Sequence, residues 1–300
     1  MFLAGPPASR PQETRLHLIR SERQVFSGSA EYLRDPVVRA DVGRYMADMT
    51  KPYALEVTPG LFGEPLSPAL GQSYGEMGEA LVRALVREEE PVDLLVLAFS
   101  VHDLRPSRAT AAHLSHVCPG TPMSFAITDQ GSAAAFSGLR IAADYAASAG
   151  CERVLLIVVE QAGLPYPSEA PLPSRHQGVA MLFGAAAVPP ARIAAVRQHA
   201  AVGAQDVAEL AAAELDELSA GHRNVRLVLG DGLAAVWPAS AQRCGRRARV
   251  RAAAPGQPST GVWWELVAEL ADDAARPGLI VAADYDPGLR YLCLTGLDTG

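Results

Sequence analysis

Apolar positions along this chain follow two alternating rhythms. The run Val92-Asp93-Leu94-Leu95-Val96-Leu97-Ala98-Phe99 is continuously hydrophobic, as suits a strand covered on both faces. Just before it, Tyr74 to Glu88 places Met77, Leu81, Leu85 and Val86 on one side of a helix. The same exchange recurs downstream: a helix over 108–116, a strand over 123–128, a helix over 133–148 and a strand from Val154 to Glu160. Arg15 to Phe26 reads as an earlier strand, and 30–70 as a surface excursion of polar helical turns punctuated by Pro and Gly.

The second half repeats the rhythm. Gly178 to Ala185 and Arg192 to His199 are strands, Val207 to Leu218 is a helix, and Val225 to Leu229 is again a strand. Leu233 to Gln242 and Thr260 to Asp272 read as helices, and Gly278 to Ala283 and Arg290 to Thr295 as the last strands. Such alternation predicts a layered α/β architecture. The shared rhythm makes internal duplication the expectation, with a loose segment over 1–13, one half over 14–185 and another over 186–300.

Composition narrows the function classes. With 300 residues, 49% of them hydrophobic, the chain can bury a large core. A net charge of −7 argues against nucleic acid, which needs a basic face. Arg246-Arg247-Ala248-Arg249-Val250-Arg251 is the one dense basic run; it reads as a solvated edge, or as a docking patch for an acidic carrier protein or a nucleotide phosphate. The cysteines Cys118, Cys151, Cys244 and Cys293 form no CxxC pair, which points to free thiols in a reducing cytoplasm. Met1 to Pro7 has no leader character, and no apolar run is long enough for a membrane span.

Four stretches carry a resemblance. Val92 to Ala98 followed by Arg105-Pro106-Ser107, the loop-helix-strand unit over 131–160, Gly178-Val179-Ala180 (with Gln177 in place of an aspartate) and Gly278 to Ala283 are similar in order and spacing to the thiolase superfamily, within it the ketoacyl-synthase III branch. The resemblance implies a five-layer α-β-α-β-α fold built from two similar halves, usually dimeric, acting on acyl thioesters of acyl carrier protein or coenzyme A. It implies no metal and no cofactor. Its chemistry needs a cysteine at a helix start, where the dipole favours the thiolate, and a histidine and an asparagine to stabilise an enolate.

This chain departs at all three places. The register puts Ser132 at the cysteine position, and a slip of two would put Gln130 there, the residue that marks non-condensing chain-length factors in the family. Serine would need a general base, and a small residue packing at a helix start is the plainer reading. Gly230 stands at the histidine position with Asp231 after it; an ionised aspartate accepts only and cannot donate to an enolate. Gln257 stands at the asparagine position, keeping the amide but moving it by about an ångström, enough to cost about a hundredfold in rate. The oxyanion loop reads Asp284-Tyr285-Asp286-Pro287-Gly288, and the stretch between the Gly178 and Val225 strands is shorter than the usual insert.

The candidate site is therefore Ser132, Gln257 and Asp231 for any chemistry, with Gln130, Gly131, His102 and Gly288 for substrate. Three functions fit. One is a non-condensing subunit of a polyketide or fatty-acyl natural-product pathway, either docking an acyl carrier or pairing with an active ketosynthase in a homo- or heterodimer. Another is an acyltransferase with Ser132 as nucleophile. The third is an enzyme relocated to His102, Asp103, His113 or Cys118. His113 and His116 share a helix face but are too few for a metal, and His176 before the Gly178 strand reads as a structural neighbour.

Overall fold

The computed structural model describes residues 16–168, 172–185, 191–237, 248–272 and 277–300. The expected loose segment over 1–13, the far end of the helix expected to reach Gln242, and Cys244, Arg246 and Arg247 lie outside them. Ten strands are described: β1 (His17–Val25), β2 (Leu94–Ala98), β3 (Met123–Ile127), β4 (Arg153–Glu160), β5 (Gln177–Gly184), β6 (Arg192–His199), β7 (Val225–Leu229), β8 (Arg249–Ala252), β9 (Leu279–Asp286) and β10 (Tyr291–Asp298). The helices are α1 (Pro36–Thr50), α2 (Tyr74–Leu85), α3 (Thr110–Val117), α4 (Ala134–Ser148), α5 (Val207–Leu218), α6 (Asp231–Val236) and α7 (Gly261–Asp272).

The strands order themselves as β3-β2-β4-β5-β1-β6-β10-β9-β7-β8. Numbered within its own half, β6 to β10 repeats the order of β1 to β5 in mirror image. The halves meet at β1 and β6, where the ladder records one residue pair, His17 with Arg192, extended by Leu18 N–H to the Ala191 carbonyl at 2.7 Å.

Layering follows from alternation along the buried strands. On β2, Leu95 and Leu97 pack with Met77 and Leu81 of α2 and Leu114 of α3, whereas Leu94, Val96 and Ala98 join Phe136 and Leu139 of α4. That second cluster also holds Trp263 and Leu266 of α7 and Ile280 and Ala282 of β9, so α4 and α7 form a middle layer shared by both halves. On the far side Val207, Ala211 and Leu215 of α5 cover Leu227, Val281 and Leu294. The five layers expected from the resemblance are present. Gly138 brings α4 close: a Cβ there would lie 3.0 Å from Leu156 and 3.1 Å from Val96.

Local signals set the helix ends. Asp35 accepts from Val37 N at 2.8 Å ahead of Pro36, and Ser73 and Glu76 close a reciprocal capping box on α2. The 30–70 excursion carries more than polar turns: Leu33, Val42, Met46, Leu61 and Leu70 make a satellite core with Leu104. The described part of the basic run is an edge strand, β8, parallel to β7. Its Arg251 reaches Glu265, Glu269 and Asp272 of α7, so that charge is neutralised within the chain. Among the described residues no helix is long and apolar enough to cross a membrane.

Candidate functional site

The carboxyl ends of the inner strands, where open α/β sheets place ligands, converge on the starts of α4, α6 and α7. The chain enters α4 through Asp129 at φ 59 and Gly131 at φ 51, followed by a single 3-10 turn over Gly131–Ala133. Left-handed backbone favours residues without a Cβ, and Asp is one of the few others that tolerate it. At Gly131 there is a second reason for glycine. A Cβ on Gly131 would collide with the carboxylate of Asp286, at the end of β9. That carboxylate accepts the Ser132 N–H at 3.1 Å through Oδ2 and the Leu289 N–H at 2.9 Å through Oδ1. An anion thus already occupies the helix start where the resemblance seats a thiolate.

Ser132 itself is buried, one residue beyond the left-handed turn, and its recorded hydrogen bond is made by its backbone N–H. The Gln130 side chain turns back onto α4: its Oε1 accepts from Ser137 Oγ at 2.5 Å, and Gln198 Nε2 of β6 donates to the same hydroxyl at 2.9 Å. Ser100, just past β2, donates to the Gly131 carbonyl at 3.0 Å and shares a 2.8 Å hydrogen bond with Ser259. Gly288 lies in the exposed turn beyond Asp286.

The start of α6 has the same construction. Gly230 leaves no side chain, and a Cβ there would collide with the Asp284 carboxylate. Asp284 is 1% exposed; its Oδ1 accepts from Tyr285 N at 2.8 Å and Leu233 N at 3.2 Å. Burial pushes its carboxyl up to about 7, against those two donors, with the charges of Asp231 and Asp286 adding to the rise. Asp231 turns elsewhere and accepts the Gly256 N–H at 3.0 Å.

Gln257 stands before α7, 2% exposed and saturated. Its Oε1 accepts from Ser174 Oγ at 2.8 Å and Arg175 N at 3.0 Å, and its Nε2 donates to Glu160 Oε2 at 3.0 Å. Glu160, the last residue of β4, also accepts from Ser259 N at 2.6 Å, Thr260 N at 2.9 Å and the Thr260 hydroxyl. It is a cross-half cap for α7. Burial raises its carboxyl despite these donors.

The remaining candidates have separate partners. His102 Nε2 meets Tyr166 OH at 2.7 Å and its Nδ1 faces the Asp103 carbonyl at 3.2 Å. His113 pairs with Glu79 at 3.4 Å. Cys118 is buried among apolar side chains, which pushes its thiol up to about 12, far from the thiolate that nucleophilic work needs. His176 Nδ1 accepts the Ala162 N–H at 3.1 Å, and its ring fills the space before Gly71. Asp103 is committed to Tyr74 N at 2.9 Å and Thr110 Oγ1 at 2.7 Å. Among the described residues no group of three His, Cys, Asp or Glu side chains could hold a metal ion.

Asp284, Asp286 and Glu160 were not among the residues singled out from the sequence. Their signal was present: aspartates two apart share a strand face, glycines stand at Gly131 and Gly230 before the helix starts, and an acidic residue ends a buried strand.

No protein-family model matches the chain, and no curated protein matches it. Solved structures do. A tetronic acid condensing enzyme matches at 12% identity with a TM-score of 0.61, covering 94% of this chain and 99% of that one. OleA from Xanthomonas campestris with bound lauric acid and lauroyl-CoA matches at 13% identity and a TM-score of 0.60, covering 96% and 100%. The 3-oxoacyl-acyl-carrier-protein synthase III of Aquifex aeolicus matches at 12% identity and a TM-score of 0.55, covering 94% and 99%. The fold is therefore that of the thiolase superfamily in its ketoacyl-synthase III form.

Proposed function

We propose that this chain is a non-condensing protein of ketoacyl-synthase III type in a polyketide or fatty-acyl natural-product pathway, acting as partner to an active condensing enzyme or as a docking element for acyl carrier protein. One observation carries the reading. At the histidine position the chain has Gly230, and next to Ser132 at the cysteine position it has Gly131; an aspartate from the end of β9 lies where a side chain on each glycine would begin. Carboxylates there oppose an enolate or a thiolate rather than stabilise it. Gln257, which could have kept an amide donor, is spent on Ser174, Arg175 and Glu160. The names of the structural neighbours favour thioester ligands, on acyl carrier protein or coenzyme A. Among the described strands β3 is at the sheet edge, and its free side suits a partner subunit, in a homodimer or with an active ketosynthase.

The test is incubation with a panel of acyl and malonyl thioesters on coenzyme A and on carrier protein, read by intact-protein mass and by loss of carbon dioxide. The reading expects no covalent adduct, no decarboxylation, and co-purification with a cysteine-bearing ketosynthase of the same pathway. An acyl mass that Ser132→Ala abolishes would overturn it in favour of an acyltransferase.

A further inference from the structure

Away from the aspartate-filled positions, the loop between β2 and α3 holds two arginines that the chain leaves unpaired. Arg105 and Arg108 are both half-buried, yet among the described residues neither guanidinium makes a hydrogen bond or an ion pair. Arg105 lies over the Tyr32 ring at 4.8 Å, and Arg108 lies across the start of α2, 3.1 Å from where a Gly75 Cβ would be. Their charges act on each other. Burial, and then the Arg105 charge, push the Arg108 guanidinium below its usual range. The Tyr32 hydroxyl beside them is buried without a partner.

The nearby acids are engaged elsewhere. Asp103 accepts from Tyr74 N, Arg105 N and the Thr110 hydroxyl. Glu76 accepts from Ser73 and Glu31, and Glu79 holds Arg83 and His113. Asp103, Glu76 and Glu79 act on Arg108 through space, yet among the described residues none of them meets either guanidinium directly, so the N–H donors of two half-buried forks are left for a ligand to satisfy. A planar fork of donors suits the oxygens of a phosphate. The exposed Ser107 lies between the two arginines in sequence, and the first turn of α3 has no side-chain cap.

We infer that Arg105, Arg108 and the Tyr32 hydroxyl form a binding site for the phosphate group of a small ligand. The site is separate from the aspartate-filled positions and stands or falls independently of the non-condensing reading.

Titration of the full chain with inorganic phosphate, and separately with coenzyme A, in chloride buffer tests it by calorimetry and by phosphorus NMR. Saturable phosphate binding is expected, weakened about tenfold or more by Arg108→Gln and by Arg105→Gln, partly kept by Arg105→Lys, and unchanged by Arg44→Gln on exposed α1. Tighter binding of coenzyme A than of phosphate identifies a cofactor phosphate as the source; equal binding identifies the free ion. Melting curves without ligand show whether each variant is folded; if Arg105→Gln is not, Arg108→Gln and Arg105→Lys decide. Absence of saturable binding, or binding indifferent to both arginines, overturns the site.

Discussion

The starts of α3 and α4 follow neighbouring parallel strands, β2 and β3, and the chain treats them in opposite ways. At α4 a carboxylate from the other half reaches in, takes the Ser132 N–H and fills the space before Gly131. At α3 the preceding loop brings two arginines together, and among the described residues no acid forms an ion pair with either. Donors satisfied from within close a site; donors left over keep one open. On the function and site proposed above, a fold built around one catalytic corner loses that corner and still presents a second surface to a ligand.

The comparison can be broken at four points. The largest effect is expected at Asp284. Its folded carboxyl is raised from 3.8 to about 7, so its stabilising, protonated form is complete below 3.8 and is lost as pH climbs towards 7. Asp284→Asn keeps the Oδ1 acceptor without the charge. By urea denaturation it should be more stable than the parent by on the order of 4 kcal/mol at pH 8 and no more stable below pH 4. Identical pH profiles would show that Asp284 is not a buried, strained anion.

Next comes Gly131→Cys, the substitution that would restore a thiol to the turn. A left-handed backbone and collision with Asp286 should together cost about 3 kcal/mol. Adding Asp286→Ala should return the share due to the collision, and no rescue at all would mean that Asp286 does not occupy that space. Glu160→Gln turns an amide N–H₂ towards donors at the start of α7, and a loss of about 2 kcal/mol is expected. The smallest effect is expected at the open corner: Arg108→Gln, which loses no hydrogen bond or ion pair among the described residues, should change stability without phosphate by less than about 1 kcal/mol. A larger loss there would make Arg108 a structural residue and erase the contrast.

Much of the scaffold was legible. The runs at 92–99 and 154–160 are apolar on both faces because both faces are covered, and β6, α5 and β7 fall on the boundaries that periodicity sets. The satellite core around Met46 was less visible, because α1 buries only a narrow stripe beneath an otherwise polar surface. At the candidate site, reading by register pointed to Ser132, Gln130, Asp231 and Gln257. The structure gives each of them hydrogen-bond partners within the protein. Asp284 and Asp286 stood out as a departure from a glycine-rich loop and as a pair two apart on one strand face, with nothing to say what they touch.

The sequence by itself determined the layers, the two-half plan and a turn into α4 without a cysteine, because periodicity and residue type are local properties. Tertiary structure alone decided what fills the vacated places. Asp286 lies far along the chain from Gly131, and Asp284 from Gly230. Only the folding of β9 over α4 and α6 brings carboxylate and glycine together. Whether a charge is paired or left over is likewise a property of distances in space, and spacing along the chain does not encode it.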